Sequence, residues 1–161
     1  MPEFLSVFCR SAQSIPLAEL RGFIRDGWFF EQAARIEPIS EGVSSSPAGW
    51  AHVEIHYQES KRPVVISHLS RRKQIEAYRA EALEELRQQS LQDGHLELMR
   101  QLQDCQQIFI LEVDSVGATE ACWAMVDALE AWLARTCDGV IFVSGEGFYD
   151  AALQPLCKLS P

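Results

Sequence analysis

The chain has 161 residues, of which 47% are hydrophobic and 23% are charged, a composition that is typical of a folded domain and argues against intrinsic disorder. The formal net charge of -9 and the isoelectric point near 4.9 argue against nucleic-acid binding, which depends on Lys and Arg side chains that neutralise phosphates. We therefore expect one acidic domain that attracts basic partners.

The start of the sequence and the cysteines favour a cytoplasmic protein. The segment MPEFLSVFCRS has an acid at Glu3 and no basic residue before an apolar run, so we expect no signal peptide. No uncharged run reaches the roughly 20 residues of a membrane helix, so we expect no membrane association. The cysteines are scattered and odd in number, which favours reduced thiols over a disulfide framework. They are Cys9, Cys105, Cys122, Cys137 and Cys157.

The first part of the chain predicts a strand, a helix and a second extended segment. Alternating apolar and aromatic residues predict a strand over residues 3–9. Residues 14–16 favour a helix start, and apolar residues then recur at helical spacing as far as Asp26-Gly27. Residues 28–36 are predicted to be extended, and residues 38–49, rich in Pro, Gly and Ser, to be a loop.

The middle of the chain predicts a β-hairpin followed by two helices. Within residues 50–69, two alternating runs flank a turn near residues 58–62. Residues 70–104 carry a narrow apolar stripe among many charges, and Asp93-Gly94 is expected to divide them into two helices. We expect the hairpin and this helical segment to be insertions in a larger sheet.

The last third repeats the pattern of the first. A strand over residues 108–113, a helix over residues 119–136 and a strand over residues 140–144 are predicted. In both thirds an Asp-Gly pair follows the helix, and its glycine is expected to end the helix in the left-handed conformation. Two such βαβ units around one antiparallel or mixed sheet describe a ferredoxin-like α+β domain, with helices chiefly on one face.

Two motifs near strand ends are expected to be structural. The Gly-Glu-Gly motif at residues 145–147 follows a strand but does not lead into a helix, as a phosphate-binding loop must. We therefore expect a turn there. Glu112 and Asp114 share one face at the end of the central strand, where paired carboxylates can hold a metal or transfer protons. No partner base accompanies them, so the simpler interpretation is that they emerge into water.

The sharpest candidate for chemistry is the hairpin face that carries His52, Glu54 and His56. Side chains alternate along a strand, so these three share one face, and the expected register puts His68 opposite His52. Three imidazoles and a carboxylate suit zinc. Residues four apart on a strand are separated by roughly 13 Å, however, which speaks against one shared ion. A metal-dependent enzyme is therefore an alternative, and no cofactor is expected.

Charge, size and the lack of catalytic motifs favour a non-enzymatic domain that binds another, basic protein. Bacterial immunity proteins, which neutralise toxins, are one such class. Glutamates of the charged helix are expected to steer association, with a tryptophan as a buried anchor. A small-molecule-binding regulatory module, forming a homodimer through an open sheet face, is a further alternative. The residues expected at the protein interface are Glu81, Glu84, Glu85, Trp50 and Trp123.

Overall fold

The computed structural model describes residues 2–39, 49–89 and 95–159. They form four helices and one antiparallel sheet of eight strands. The predicted α+β class is thereby confirmed. None of these helices combines the length and hydropathy that crossing a membrane requires. The strands are β1 (Pro2–Cys9), β2 (Arg35–Pro38), β3 (His52–His56), β4 (Val64–Leu69), β5 (Gln107–Asp114), β6 (Gly139–Val143), β7 (Gly147–Tyr149) and β8 (Pro155–Lys158). The helices are α1 (Leu17–Asp26), α2 (Arg72–Arg87), α3 (His95–Gln103) and α4 (Glu120–Cys137).

The sheet is built around its first strand. The strand order is β2-β3-β4-β5-β1-β6-β7-β8, so β1 lies between β5 and β6. Both neighbours run antiparallel to β1, with Leu5 opposite Leu111 on one side and Val143 on the other. Strands β5 and β6 are therefore parallel to each other, and α4 connects them across one face of the sheet.

Helices cover both faces of the sheet. Phe109 and Leu111 of β5 belong to the core that α1 and α4 cover, whereas Ile108 and Ile110 belong to a second core under α2 and α3. The expectation of helices chiefly on one face is wrong. The residues of β5 explain why helices cover both faces. This strand is apolar on both sides, so each side needs a layer that shields it from water.

The two helix ends that share an Asp-Gly pair do not use glycine as predicted. After α1, Gly27 has a right-handed conformation with φ -79°, and Trp28 takes the positive φ of 52°. After α4, Asp138 itself is left-handed with φ 52°. Gly139 is instead required by close packing, because a Cβ there would lie 2.9 Å from the Cγ1 of Val7.

Some predicted segments differ from the observed ones. The extended segment predicted over residues 28–36 is reduced to the short edge strand β2, and β7 and β8 were not predicted. Most of the predicted loop at residues 38–49, and the Asp93-Gly94 break, lie outside the described residues. Within the Gly-Glu-Gly motif, Gly145 and Glu146 lie in the turn between β6 and β7, where Gly145 has φ 76°, and Gly147 begins β7.

Candidate functional site

A cleft of about 240 Å³ lies where the start of β1, one side of α4 and the β6–β7 turn meet. Four carboxylates line this acidic cleft, together with two aromatic rings and three aliphatic side chains. None of the described residues that line it is basic. The carboxylates belong to Glu3, Asp127, Glu130 and Glu146, the rings to Trp123 and Tyr149, and the aliphatic side chains to Leu5, Val143 and Leu153.

The regular spacing of α4 and β1 brings these side chains together. Trp123, Asp127 and Glu130 follow one another at intervals of four and three residues, so they lie on one face of the helix. The helix begins at a fixed point, because the hydroxyl of Thr119 accepts a hydrogen bond of 3.1 Å from the backbone N–H of Cys122. On β1, Glu3 shares the face of Leu5 that is turned toward α4.

Glu130 is the innermost acid of the cleft. It is only 2% exposed, and its Oε1 atom has no hydrogen-bond partner among the described residues. Burial, followed by the negative charges of Asp127, Glu3 and Glu146, raises the pKa of Glu130 from 4.5 to about 8. At neutral pH most Glu130 side chains therefore carry a proton.

The other acids of the cleft are more exposed and affect one another. Burial and the charge of Glu146 raise the pKa of Glu3 and of Asp127. The hydroxyl of Tyr149 donates a hydrogen bond of 2.8 Å to the Oε1 atom of Glu146. Burial and this interaction with Glu146 raise the pKa of Tyr149 to about 12, so Tyr149 remains a donor. The cleft thus concentrates negative charge that its own side chains do not neutralise.

The arrangement suits an organic cation better than a metal ion. Within the described residues, no group of three or more His, Cys, Asp or Glu side chains is placed to hold a metal. Carboxylates spread around aromatic rings instead attract a cation by charge and by cation–π interaction. A buried carboxyl with a raised pKa is also typical of functional sites, where it binds charge or transfers protons.

The structure does not place His68 opposite His52, as the predicted register of the hairpin does. His52 lies opposite Ser67, and its Nδ1 atom is 2.9 Å from the Ser67 hydroxyl. His68 is therefore on the other face of the sheet, buried and stacked on Phe109 with 4.8 Å between the ring centroids. The predicted register was wrong by one residue, and such a slip moves a side chain to the opposite face.

The remaining members of the predicted metal set stay on one face of the hairpin. His56 is the closest to a carboxylate, with its Nε2 atom 3.8 Å from Glu54 and 3.7 Å from Glu37 of the neighbouring strand. Glu54 lies opposite Val65 rather than another ligand. The face therefore presents separate polar side chains.

The two predicted tryptophan anchors have different environments. Trp50 is only 2% exposed, and its indole N–H donates a hydrogen bond of 2.8 Å to the carbonyl of Ile15. A side chain that anchors a partner must be accessible in the free protein, and Trp50 is not, because its indole is a core side chain with its polar atom satisfied. Trp123 is half-buried and forms one wall of the acidic cleft.

The three predicted interface glutamates lie on α2, on the other side of the sheet from the acidic cleft. Glu81 and Glu84 are exposed. Glu85 is half-buried and accepts hydrogen bonds of 2.8 Å from the Ser144 hydroxyl and 3.3 Å from the Gly145 N–H. The structure therefore separates Trp123 from these glutamates and gives Glu85 a role in holding the β6–β7 turn.

Sequence analysis missed Glu130, although a signal was present. Val126 and Ala134, four residues before and after it, are both buried, so Glu130 is an acid within the apolar surface of α4. An acid in such a position is rarely buried without a partner. Glu3 and Glu146 carry no comparable signal, because they reach the cleft from distant parts of the chain.

Comparison with known proteins does not identify a relative. No family model matches the chain, and no curated protein or solved structure is significantly similar to it.

Proposed function

We propose that the protein is a non-enzymatic, cytosolic domain that binds another, basic protein through an acidic surface, as immunity-type proteins do. The observation that carries the proposal is the acidic cleft, whose described lining residues include four acidic side chains and no basic one, around Trp123 and Tyr149. Such a site attracts a positively charged partner from a distance and fixes it by close contact.

The anatomy of the cleft supports a protein interface. Trp123 is half-buried, while Asp127 and Glu146 beside it are exposed. Aromatic side chains ringed by polar groups are typical of the residues that contribute most to binding. The buried carboxyl of Glu130 also reduces stability at neutral pH, and such a cost is typical of positions retained for function.

We further propose that the core of the domain is ferredoxin-like. What supports this is the strand order β4-β5-β1-β6 and the position of α1 and α4 on one face. The unit β5-α4-β6, with β1 between its two strands, is a split βαβ unit. On this proposal the β2–β3 strands, the α2–α3 pair and the β7–β8 strands are additions to the core.

The proposal is tested by affinity capture with matched charge reversals. Immobilised wild-type protein is compared with a double variant, Asp127→Lys and Glu146→Lys, and with a control double variant, Glu81→Lys and Glu84→Lys, on the opposite side. We expect a basic protein from the native source to be retained by the wild type and the control and lost by the cleft variant.

Kinetics then test whether charge steers the association. With the captured protein purified, the association rate should fall as salt rises, and the cleft reversals should lower it further. Truncation of the anchor, Trp123→Ala, should mainly increase the dissociation rate. Retention of the same protein by the cleft variant, or an association rate independent of salt, would show that the acidic cleft is not the interface.

A second candidate function is a small-molecule-binding module, because the opposite face also has a cleft of about 240 Å³. It lies between the sheet and α2 and is largely apolar. Ligand-observed NMR with naphthalene as the probe tests it: binding should weaken in Tyr78→Ser and be unchanged in Tyr149→Phe. The aromatic side chains that line this cleft are Phe4, Phe8, Tyr78 and Phe142.

A further inference from the structure

We propose that the acidic cleft receives the side chain of one arginine of the partner protein, with the Glu130 carboxylate as its innermost contact. The inference rests on the proposed function, and it names the group that the site recognises. It is carried by the buried Oε1 atom of Glu130, which has no hydrogen-bond partner in the described part of the chain, in a cleft whose other described charged side chains are all acidic.

The size of the cleft fits one side chain. Its volume of about 240 Å³ is below the roughly 300–1,000 Å³ of pockets that bury drug-sized ligands, so it suits a group of about the size of one side chain. Glu130 is almost fully buried, whereas Asp127 and Glu146 are exposed. An extended side chain with its charge at the tip can therefore reach the inner carboxylate while its stem lies between the outer ones.

The walls of the cleft favour guanidinium over ammonium. Leu5 and Val143 contribute apolar surface, and Trp123 and Tyr149 contribute rings. A guanidinium group is planar, weakly hydrated and able to stack on rings while it donates hydrogen bonds to carboxylates. An ammonium group is strongly hydrated and loses more on entering a partly apolar cleft, so arginine is the better ligand than lysine.

Binding of arginine is coupled to release of a proton. The groups that face Glu130 are Asp127 on its own helix, Glu3 on β1 and Glu146 with Tyr149 at the β6–β7 hairpin. All four are acidic or neutral, so the free cleft keeps a proton on Glu130. A guanidinium group favours the ionised carboxylate, and the proton passes to solvent as the ion pair forms. Affinity should therefore rise with pH until Glu130 is ionised without ligand, near pH 8.

The test uses N-acetyl-arginine amide as the probe, because the partner itself is not needed. Binding to the full chain is followed by NMR through the indole N–H signals at pH 6, 7, 8 and 9 and constant ionic strength. The matched ligands are N-acetyl-citrulline amide, which is uncharged and nearly the same shape, and the α-acetylated lysine amide. The matched protein variants are Glu130→Gln in the cleft and Glu84→Gln on α2.

We expect the arginine probe to bind at least tenfold more tightly than the citrulline probe and more tightly than the lysine probe at pH 8. Its affinity for the wild type and for Glu84→Gln should rise by up to tenfold per pH unit from pH 6 to 8, as release of one proton requires, and level off above pH 8. In Glu130→Gln this rise should be lost. An Asp127→Asn variant, changed at an exposed position, should bind more weakly but keep the rise.

Several results would overturn the proposal. Equal binding of the arginine and citrulline probes would exclude recognition of charge, and lysine binding as tightly would exclude guanidinium selectivity. An affinity for the arginine probe that does not change with pH, or an increase with pH that persists in Glu130→Gln, would exclude Glu130 as the inner contact. If the probe fails but capture of a partner still requires Asp127 and Glu146, this inference is wrong and the proposed function stands. If neither binding of the arginine probe nor capture of a partner depends on the acidic cleft, the proposed function is wrong as well.

Discussion

Replacing Glu130 with glutamine should stabilise the protein at neutral pH and leave it nearly unchanged in mild acid. The pKa of Glu130 is raised in the folded state, so the folded chain binds this proton more tightly than the unfolded chain does. The stabilisation from the bound proton is fully present below pH 4.5 and is lost as the pH rises through about 8. Glutamine is neutral at every pH and resembles the protonated acid in shape, so the variant avoids this loss.

The size of the effect follows from the two pKa values. A change from 4.5 to about 8, at about 1.4 kcal/mol per pH unit, corresponds to about 5 kcal/mol over the whole range. Between pH 5 and pH 8, the wild type should lose about 3 kcal/mol of its free energy of unfolding relative to the variant. Natural domains have about 5–15 kcal/mol in total, so the difference is readily measured.

The measurement is urea unfolding followed by circular dichroism at pH 5, 6, 7 and 8 for the wild type, Glu130→Gln and Glu84→Gln. Glu84 is an exposed acid on α2, on the other side of the sheet from the cleft, and its replacement controls for the change from Glu to Gln itself. The difference between the wild type and Glu130→Gln should widen steadily with pH. Parallel curves for these two proteins would show that Glu130 is ionised in the folded state at pH 5 and refute the reasoning.

Two further substitutions and one labelling experiment test separate parts of the structure. Trp50→Phe removes a buried hydrogen bond and leaves a carbonyl unpaired, so it should lower the free energy of unfolding by about 1–3 kcal/mol in a denaturant titration. If Trp50→Phe lost less stability than Trp123→Phe, at a half-buried position, the assignment of Trp50 to the core would be contradicted. Gly147→Ala should destabilise by more than about 1 kcal/mol because its Cβ would collide with the Cys157 carbonyl, and an unchanged melting temperature would contradict the close approach. All five cysteines are buried free thiols, and burial raises the pKa of Cys105 to about 11. A thiol reagent should therefore modify the cysteines only when the protein unfolds, and rapid stoichiometric labelling of the native protein would contradict their burial.

Local patterns in the sequence predicted the regular elements with strong periodicity. Strand β5 and helix α4 were predicted nearly to their ends. The apolar run IFILEV and the helical spacing of Met125, Leu129 and Leu133 show directly which side chains are buried in each element. Strands β7 and β8 are short, and their pairing depends on contacts that neither segment encodes by itself. The hairpin was predicted as an element, but its register was predicted wrongly by one residue, because both registers pair apolar side chains with apolar ones along part of the strands.

The candidate site was largely hidden from sequence analysis. Its four acids come from residues 3, 127, 130 and 146, and only the pair on α4 has a spacing that links them. The buried position of Glu130 could have been inferred from its apolar neighbours along the helix. The convergence of Glu3 and Glu146 on Glu130 could not, because it depends on the placement of β1 beside β6.

The central place of β1 in the sheet also affects when the protein can fold during synthesis. Both edges of β1 are covered by strands made much later, since Phe8 pairs with Ile108 on one side and with Val140 on the other. A ribosome that adds about 5–20 residues per second needs on the order of ten seconds to make the intervening chain. Through that interval the strand has neither neighbour, and its apolar, aromatic-rich sequence is open to association with other nascent chains. We therefore expect the sheet to assemble only after β6 has left the ribosome, and the emerging chain to depend on chaperones until then.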